Sequence, residues 1–418
     1  MKFWSKINSN FRIVIKNSVF GMSGSVIGQI LAMVSSIIMG RILGAEGLGA
    51  YTFGMTFAGM LYIFLNLGMS GILQRNISMD NSCAGKYLAN TLVVRIFFAI
   101  PASLIMAIAF TYLRGNVENL RVTILCCIYV GLTSLYNTCN ECITAIEKFE
   151  ISFIYSIIQK ALNLVITFVL LMLFKSMGIM LVGYIIGFII LVVLQLMFIK
   201  NNLCDVYFEL DIVFLKKYIR ESAPAILTAT AEFLNLHCDI FVLSFCLSNT
   251  IVGYYSVSSN VYIAASFIPI AIAKAATPTV NRLRSSGKSV VGLIRKTAFI
   301  IIIVSFIIMF AIRIIGKTVV VALYGLDFEQ AVIPLYILTF SLAPASINRF
   351  LGYLLLGIGR QKSAALASGV GAMINVILNI MFIPTFGMSA AAFSTVISES
   401  VVAIIEMYFV NKHNGIIW

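Results

Sequence analysis

Charge is scarce in this chain. Only 11% of its 418 residues are Asp, Glu, Lys or Arg, while 61% are hydrophobic, and soluble domains carry about 25% charged residues. So few charges cannot cover a water-exposed surface, which excludes an ordinary soluble domain. Histidine is rarer still, confined to His237 and His413, and no G-x-x-x-x-G-K-[ST] phosphate loop is written anywhere. With the longest expected outer run at only 316–330, these gaps argue against a membrane-embedded glycosyl polymerase or ligase. A cleavable signal is also not expected, because Met1–Lys16 lacks a compact apolar core and a small-residue cleavage site. That segment suits an amphipathic stretch lying on a membrane surface. The eight cysteines include one C-x-x-C, Cys139 and Cys142. With no second pair to complete a tetrahedral set, it reads as small apolar packing rather than a metal or redox site.

What is present is long apolar runs. Mean hydropathy is +1.02, and stretches of the roughly 20 residues needed to cross a bilayer core recur along the chain. Alternating short segments, the mark of a β-barrel, are not seen. The expected fold is an all-α integral membrane protein with about twelve transmembrane helices. The spans lie near 17–40, 48–71, 88–112, 120–144, 152–174, 179–199, 221–246, 252–277, 297–319, 331–357, 363–384 and 388–410.

The net charge of +13 is distributed as a membrane would require, not as nucleic acid would. With the N-terminus inside, the cytoplasmic segments hold Lys2, Lys6, Arg12 and Lys16, then Arg75 and Lys86, then Lys148, then Lys200, Lys216, Lys217 and Arg220, then Arg282, Arg284, Lys288, Arg295 and Lys296, then Arg360 and Lys362, and last Lys412. The outer ends hold only Arg41, Arg114, Arg121, Lys175, Arg313 and Lys317. This positive-inside bias predicts both termini in the cytoplasm.

The chain repeats itself. "GRILGAEGLGAYTFG" at 40–54 is answered by "FCLSNTIVGYYSVSS" at 245–259. An offset of 204 sets Lys16 on Arg220, Leu43 on Leu247, Gly49 on Gly253 and Tyr51 on Tyr255. An offset of 212 then sets Lys148 on Arg360 and Asn163 on Asn375, and one of 209 sets Gly178 on Gly387. The expected organisation is two pseudo-symmetric six-helix lobes, 1–200 and 221–418, joined by a cytoplasmic linker at 201–220. Internal repeats of this kind are common in transporters.

Ionisable groups inside spans usually face a cavity or a partner. Four are basic: Arg95, Lys160, Lys274 and Arg349. Arg95 lies about 14 Å along the helix from Lys86, and all four sit toward the cytoplasmic half or the midplane. One reading gathers them into a cationic vestibule, where arginine forks and lysine point charges bind phosphate oxygens. The other has them snorkel to the interface. Among the acids, Glu232 and Asp239 share a face of span seven, and Glu399 and Glu406 repeat that spacing in span twelve. Glu406 is expected to be solvated near the cytoplasmic end. Glu232, Glu399 and Asp239 either pair statically with the cations or serve ion coupling or gating, with H⁺ or Na⁺ as the coupling ion and no other cofactor. Tyr51, Tyr62, Tyr254, Tyr255 and Tyr262 serve as interfacial anchors or stack on sugar rings.

The first junction, "MGRILGAEGLGAYTFG", resembles the first-loop pattern of bacterial polysaccharide flippases. "APAILTATAEFLNLHCDIFVLSFCLSNTIVGYYSVSSNVY" is similar to their seventh-to-eighth helix signature, matched at Pro224, Asp239, Gly253, Tyr255 and Ser256. His237 stands where many relatives carry a basic residue two positions before the aspartate. The resemblance extends to the superfamily of multidrug, oligosaccharidyl-lipid and polysaccharide exporters. It implies a flippase in the bacterial inner membrane that carries an undecaprenyl-diphosphate-linked oligosaccharide outward by alternating access, for O-antigen or capsule. The expected partners are that lipid, membrane lipids and polysaccharide polymerase machinery. The alternative is a multidrug/cation antiporter of the same fold.

Overall fold

A computed structural model describes residues 9–66, 68–114, 118–203, 211–286 and 289–414. Residues 1–8 of the expected surface segment and 204–210 of the expected linker lie outside the described residues. Among the described residues no strand occurs. In chain order the helices are α1 Ser9–Asn66, α2 Met69–Met79, α3 Ala84–Val94, α4 Ile100–Arg114, α5 Glu118–Ala145, α6 Phe149–Phe174 and α7 Met177–Asn202. They continue as α8 Ile212–Cys246, α9 Asn249–Ser285, α10 Val291–Tyr324, α11 Val332–Leu338, α12 Leu342–Gly357 and α13 Gln361–Asn414.

Apart from 67–68, between α1 and α2, the residues of the expected spans are helical. Two helices are too long for one crossing, and each is bent by a left-handed glycine: α1 at Gly44 (φ 68°) and α13 at Gly387 (φ 60°). Each supplies two spans. Span three runs through α3 and α4 across a π-helical turn, Arg95–Ala99. Span ten runs from the 3₁₀ turn Leu326–Ala331 through α11 and α12. Among the described residues nine helical stretches are long and apolar enough to cross a membrane. Their outer faces stay apolar without protein cover, as along α6 (Ile154, Val165, Phe168, Met172) and α10 (Phe299, Phe306, Phe310, Ile314). Such surface is stable only against lipid tails.

The chain divides into two compact units. One comprises 1–43 and 57–227; the other comprises 44–56 and 228–418. Thus the segment after the first bend packs with the second unit, and the expected 201–220 linker does not mark the division. Its second half is already helical, because α8 begins at Ile212. That helix start is tied to the rest of the first unit by Lys86 Nζ on Asp211 Oδ2 at 2.7 Å and Arg75 on Glu221 at 3.6 Å. Tyr87 packs edge-on against Phe214 and Tyr218.

The repeat is visible in backbone detail within each unit. At the end of α5 the N–H of Lys148 bonds Ile143 O (3.1 Å) and that of Glu147 bonds Thr144 O (3.0 Å). At the end of α12 the N–H of Arg360 bonds Leu355 O (2.8 Å) and that of Gly359 bonds Leu356 O (3.0 Å). Both are Schellman closures, with Glu147 (φ 62°) and Gly359 (φ 74°) at the left-handed position. The 212 offset also carries Lys175 (φ 48°) onto Gly387 (φ 60°) and Phe174 onto Phe386.

The duplicated junction packs on itself within the second unit. A Cβ on Gly49 would lie 1.7 Å from Asn249 O, and one on Gly253 would lie 2.0 Å from Ala45 O. The 204 offset carries Ala45 onto Asn249 and Gly49 onto Gly253, so the contact is reciprocal. Each glycine admits the carbonyl of the other copy, and no other residue type leaves room for that approach.

Candidate functional site

In the first unit the polar centre is Arg95. It stands at the start of the π-helical turn and is fully buried. Its guanidinium donates to Ser134 O, Thr138 Oγ1 and Asn66 Oδ1, and to Ser70 Oγ at 3.2 Å. Asn66 and Ser70, joined by a 2.9 Å bond, flank the left-handed Gly68 between α1 and α2. Tyr62 presents its ring 6.0 Å from the guanidinium carbon. Glu141 of α5 lies within electrostatic reach of Arg95. Among the described residues Arg95 Nε and Glu141 Oε2 are buried without a hydrogen-bond partner. The two terminal nitrogens of the guanidinium thus join the α1–α2 junction, the π turn and α5.

In the second unit the corresponding chemistry lies between α12 and α13. Asn348 Nδ2 donates to Glu399 Oε2 at 2.7 Å. Arg349, half-buried on the same turn, lies within electrostatic reach of both Glu399 and Tyr262. Asp239 is held elsewhere, at the end of α8. It accepts a hydrogen bond from Tyr255 and one from its neighbour Ile240 N at 2.8 Å.

The sequence-predicted residues are thus not equivalent. Lys160 is half-buried, its stem over Gly28, where a Cβ would meet Lys160 Cγ at 3.5 Å. Lys274 is exposed on α9. The backbone of Glu232 is helical, but its side chain lies outside the described residues. Within each unit the arginine joins a polar network in which the lysine takes no described part. Two expectations are corrected. Glu406 is only 1% exposed instead of solvated, because α12 covers it and Gly352 leaves it room. Tyr255 is buried and bonded to Asp239, so it is neither an interfacial anchor nor a free stacking surface. His237 is half-buried with its ring 4.7 Å from that of Phe233.

Sequence reasoning missed Glu141, Asn66, Ser70 and Thr138. Glu141 has a readable signal, since it is an acid inside span four. The amide and hydroxyls carry none, because such groups are common in spans and only the fold brings them to one guanidinium.

The polysaccharide biosynthesis protein family matches residues 14–284. Over 407 residues the chain is 19% identical to the capsular polysaccharide biosynthesis protein CapF of Staphylococcus aureus, covering 96% of this chain and 100% of that protein. It is 20% identical over 413 residues to Agl15 of Haloferax volcanii, a probable low-salt glycan biosynthesis flippase, covering 95% and 83%. Among solved structures it is similar to the lipid II flippase MurJ in an inward closed conformation, with TM-score 0.77, 15% identity and coverage of 94% and 87%. It is also similar to an inward-facing multidrug resistance transporter of the MATE family, of the MOP superfamily, with TM-score 0.71, 16% identity and coverage of 93% and 94%. These structural likenesses show a shared two-lobe helical fold. With the family matched over more than half of its length, the chain belongs to the polysaccharide biosynthesis protein family.

Proposed function

We propose that this protein is a flippase that carries a polyprenyl-diphosphate-linked oligosaccharide, of the undecaprenyl type, from the cytoplasmic to the outer leaflet of a bacterial inner membrane, for capsule or O-antigen assembly. The observation that carries this reading is the family match together with end-to-end similarity to a capsular polysaccharide protein and a glycan flippase. The chemistry agrees with it. The lipid-linked sugar bears an anionic diphosphate, and arginine binds phosphate oxygens bidentately. Arg95, buried in the polar network of the first unit, and Arg349, in the field of Glu399 in the second, are each a proposed diphosphate contact. Lys160 and Lys274 add mobile positive charge. Glu232, Glu399 and Asp239 are the proposed coupling or gating acids, taking H⁺ or Na⁺. Alternating access opens the site to each side in turn.

The test is complementation of flippase-null strains that make defined repeat units. Restored surface polymer in at least one strain is expected. A chain that inserts in all of them, restores none and instead confers efflux of cationic drugs is an antiporter of the same fold. In proteoliposomes supplied with lipid-linked substrate, flipping is expected to respond to an imposed proton or Na⁺ gradient. Indifference of wild-type flipping to both gradients would make Glu232 and Glu399 structural charges.

A further inference from the structure

Glu399 and Glu406 lie two turns apart on α13, on the face that α12 covers. The fold provides for the two carboxyls differently. Glu399 has the amide of Asn348 at 2.7 Å and lies in the field of Arg349. Glu406 is more deeply buried, at 1% exposure. One oxygen, Oε1, lies against Gly352 so closely that a Cβ there would stand 3.2 Å away. The other, Oε2, is buried with no hydrogen-bond partner among the described residues.

Among the described residues no cation offsets it. The charged group that acts on Glu406 is Glu399, of like sign. From α12 the ionisable groups nearest in sequence are Arg349, which serves Glu399, and Tyr353. From α9 and α10 the packing is apolar, with Ala273, Val280, Ile294 and Ala298 in one cluster with Ala403 and Val410 of α13. The basic residues of those helices, Lys274, Arg282, Arg295, Lys296, Arg313 and Lys317, are exposed, and Arg284 is partly so. A carboxylate in such a place, with only the Gly352 backbone bonded to it, is costly, since no counter-charge among the described residues offsets its burial. A like charge two turns away adds to the cost. A bound proton removes the charge, and it makes the unpartnered oxygen a donor as well as an acceptor.

We propose that Glu406 is a proton-binding site, a buried carboxylic acid fitted between Gly352 and the apolar cluster of α9, α10 and α13. Glu399, two turns away, is a separate carboxyl with its own partners, Asn348 and Arg349. The site does not depend on the identity of the cargo.

The test is infrared spectroscopy of the purified protein in lipid nanodiscs, reading the C=O stretch of protonated carboxyls and its shift in D₂O. Wild type is expected to show such a band at neutral pH. Glu406→Gln, which keeps the shape of the neutral acid, is expected to lose it, while Glu399→Gln keeps it. A band of equal intensity in wild type and Glu406→Gln would overturn the proposal. Should Glu406→Gln fail to insert, Glu406→Asp gives the same decision: the band moves in frequency if it belongs to this residue, and an unmoved band overturns the assignment. The spectra need no substrate, so a negative result would remove the proton site and leave the flippase reading standing.

Discussion

At the residue scale the chain turns on what single side chains, or their absence, permit. Gly49 and Gly253 are spaces for a carbonyl. A methyl group there meets backbone on the opposite copy, which cannot rotate away, so Gly49→Ala and Gly253→Ala are each expected to cost about 1–3 kcal/mol. Because one separation of the two segments relieves both clashes, the double variant should cost less than the sum. Thermal unfolding in detergent checks this, with Gly292→Ala as the control, since nothing lies within 4 Å of a Cβ there. A midpoint for Gly49→Ala equal to that of the control would refute the close approach. Arg95 is the opposite case, a large side chain that many acceptors need. Its truncation leaves Asn66, Ser70 and Glu141 without their cation, at a cost of about 3–5 kcal/mol. Lysine cannot replace the fork. Both Arg95→Ala and Arg95→Lys should therefore abolish surface polymer, with Arg349→Ala doing so at a smaller loss of stability. Membrane protein level and polymer are measured together. Full polymer from Arg95→Ala and Arg349→Ala alike would mean that these side chains only orient their helices.

At the element scale, paired closures test the repeat. Glu147 and Gly359 occupy the same left-handed position, which costs an L side chain roughly 1–2 kcal/mol. Glu147→Gly should thus raise the thermal midpoint and Gly359→Glu should lower it, each by an amount corresponding to about 1 kcal/mol. Opposite signs from the two exchanges are the signature. The same sign from both would mean that the two turns are not equivalent. The periodic and apolar parts of these elements were legible in the sequence, because length and hydropathy suffice to mark a span. What was not legible was the backbone form of the breaks inside α1 and α13: at Gly44 and Gly387 the chain leaves the helical region and two helices meet across a kink. The helical start of α8 was also hidden. Its residues 212–220 are rich in charge and read as linker until Tyr87, Lys86 and Arg75 are placed beside them.

At the scale of the whole molecule, the positive-inside distribution predicts both termini in the cytoplasm. Reporters fused after Trp418 and within 325–329 should report the inner and outer sides respectively. The reverse at either site would overturn the orientation. Cargo belongs to this scale too, since no single side chain specifies a sugar. The strain that complements will name the repeat unit.

The sequence by itself determined the solvent, the number of spans, their expected orientation and the duplication. Each follows from additive properties, namely apolar length, charge counted along the chain and residues recurring at a fixed offset. It also marked Arg95, Arg349, Glu399 and Asp239, because a charge inside an apolar run stands out in one dimension. Only the tertiary structure decided what those charges meet. It brought Asn66, Ser70, Thr138 and Glu141 to Arg95, Tyr255 to Asp239 and Asn348 to Glu399, and it closed α12 over Glu406. Burial and pairing are set by residues distant in the chain, so a helix end that reads as solvated in sequence becomes an interior when another helix lies across it.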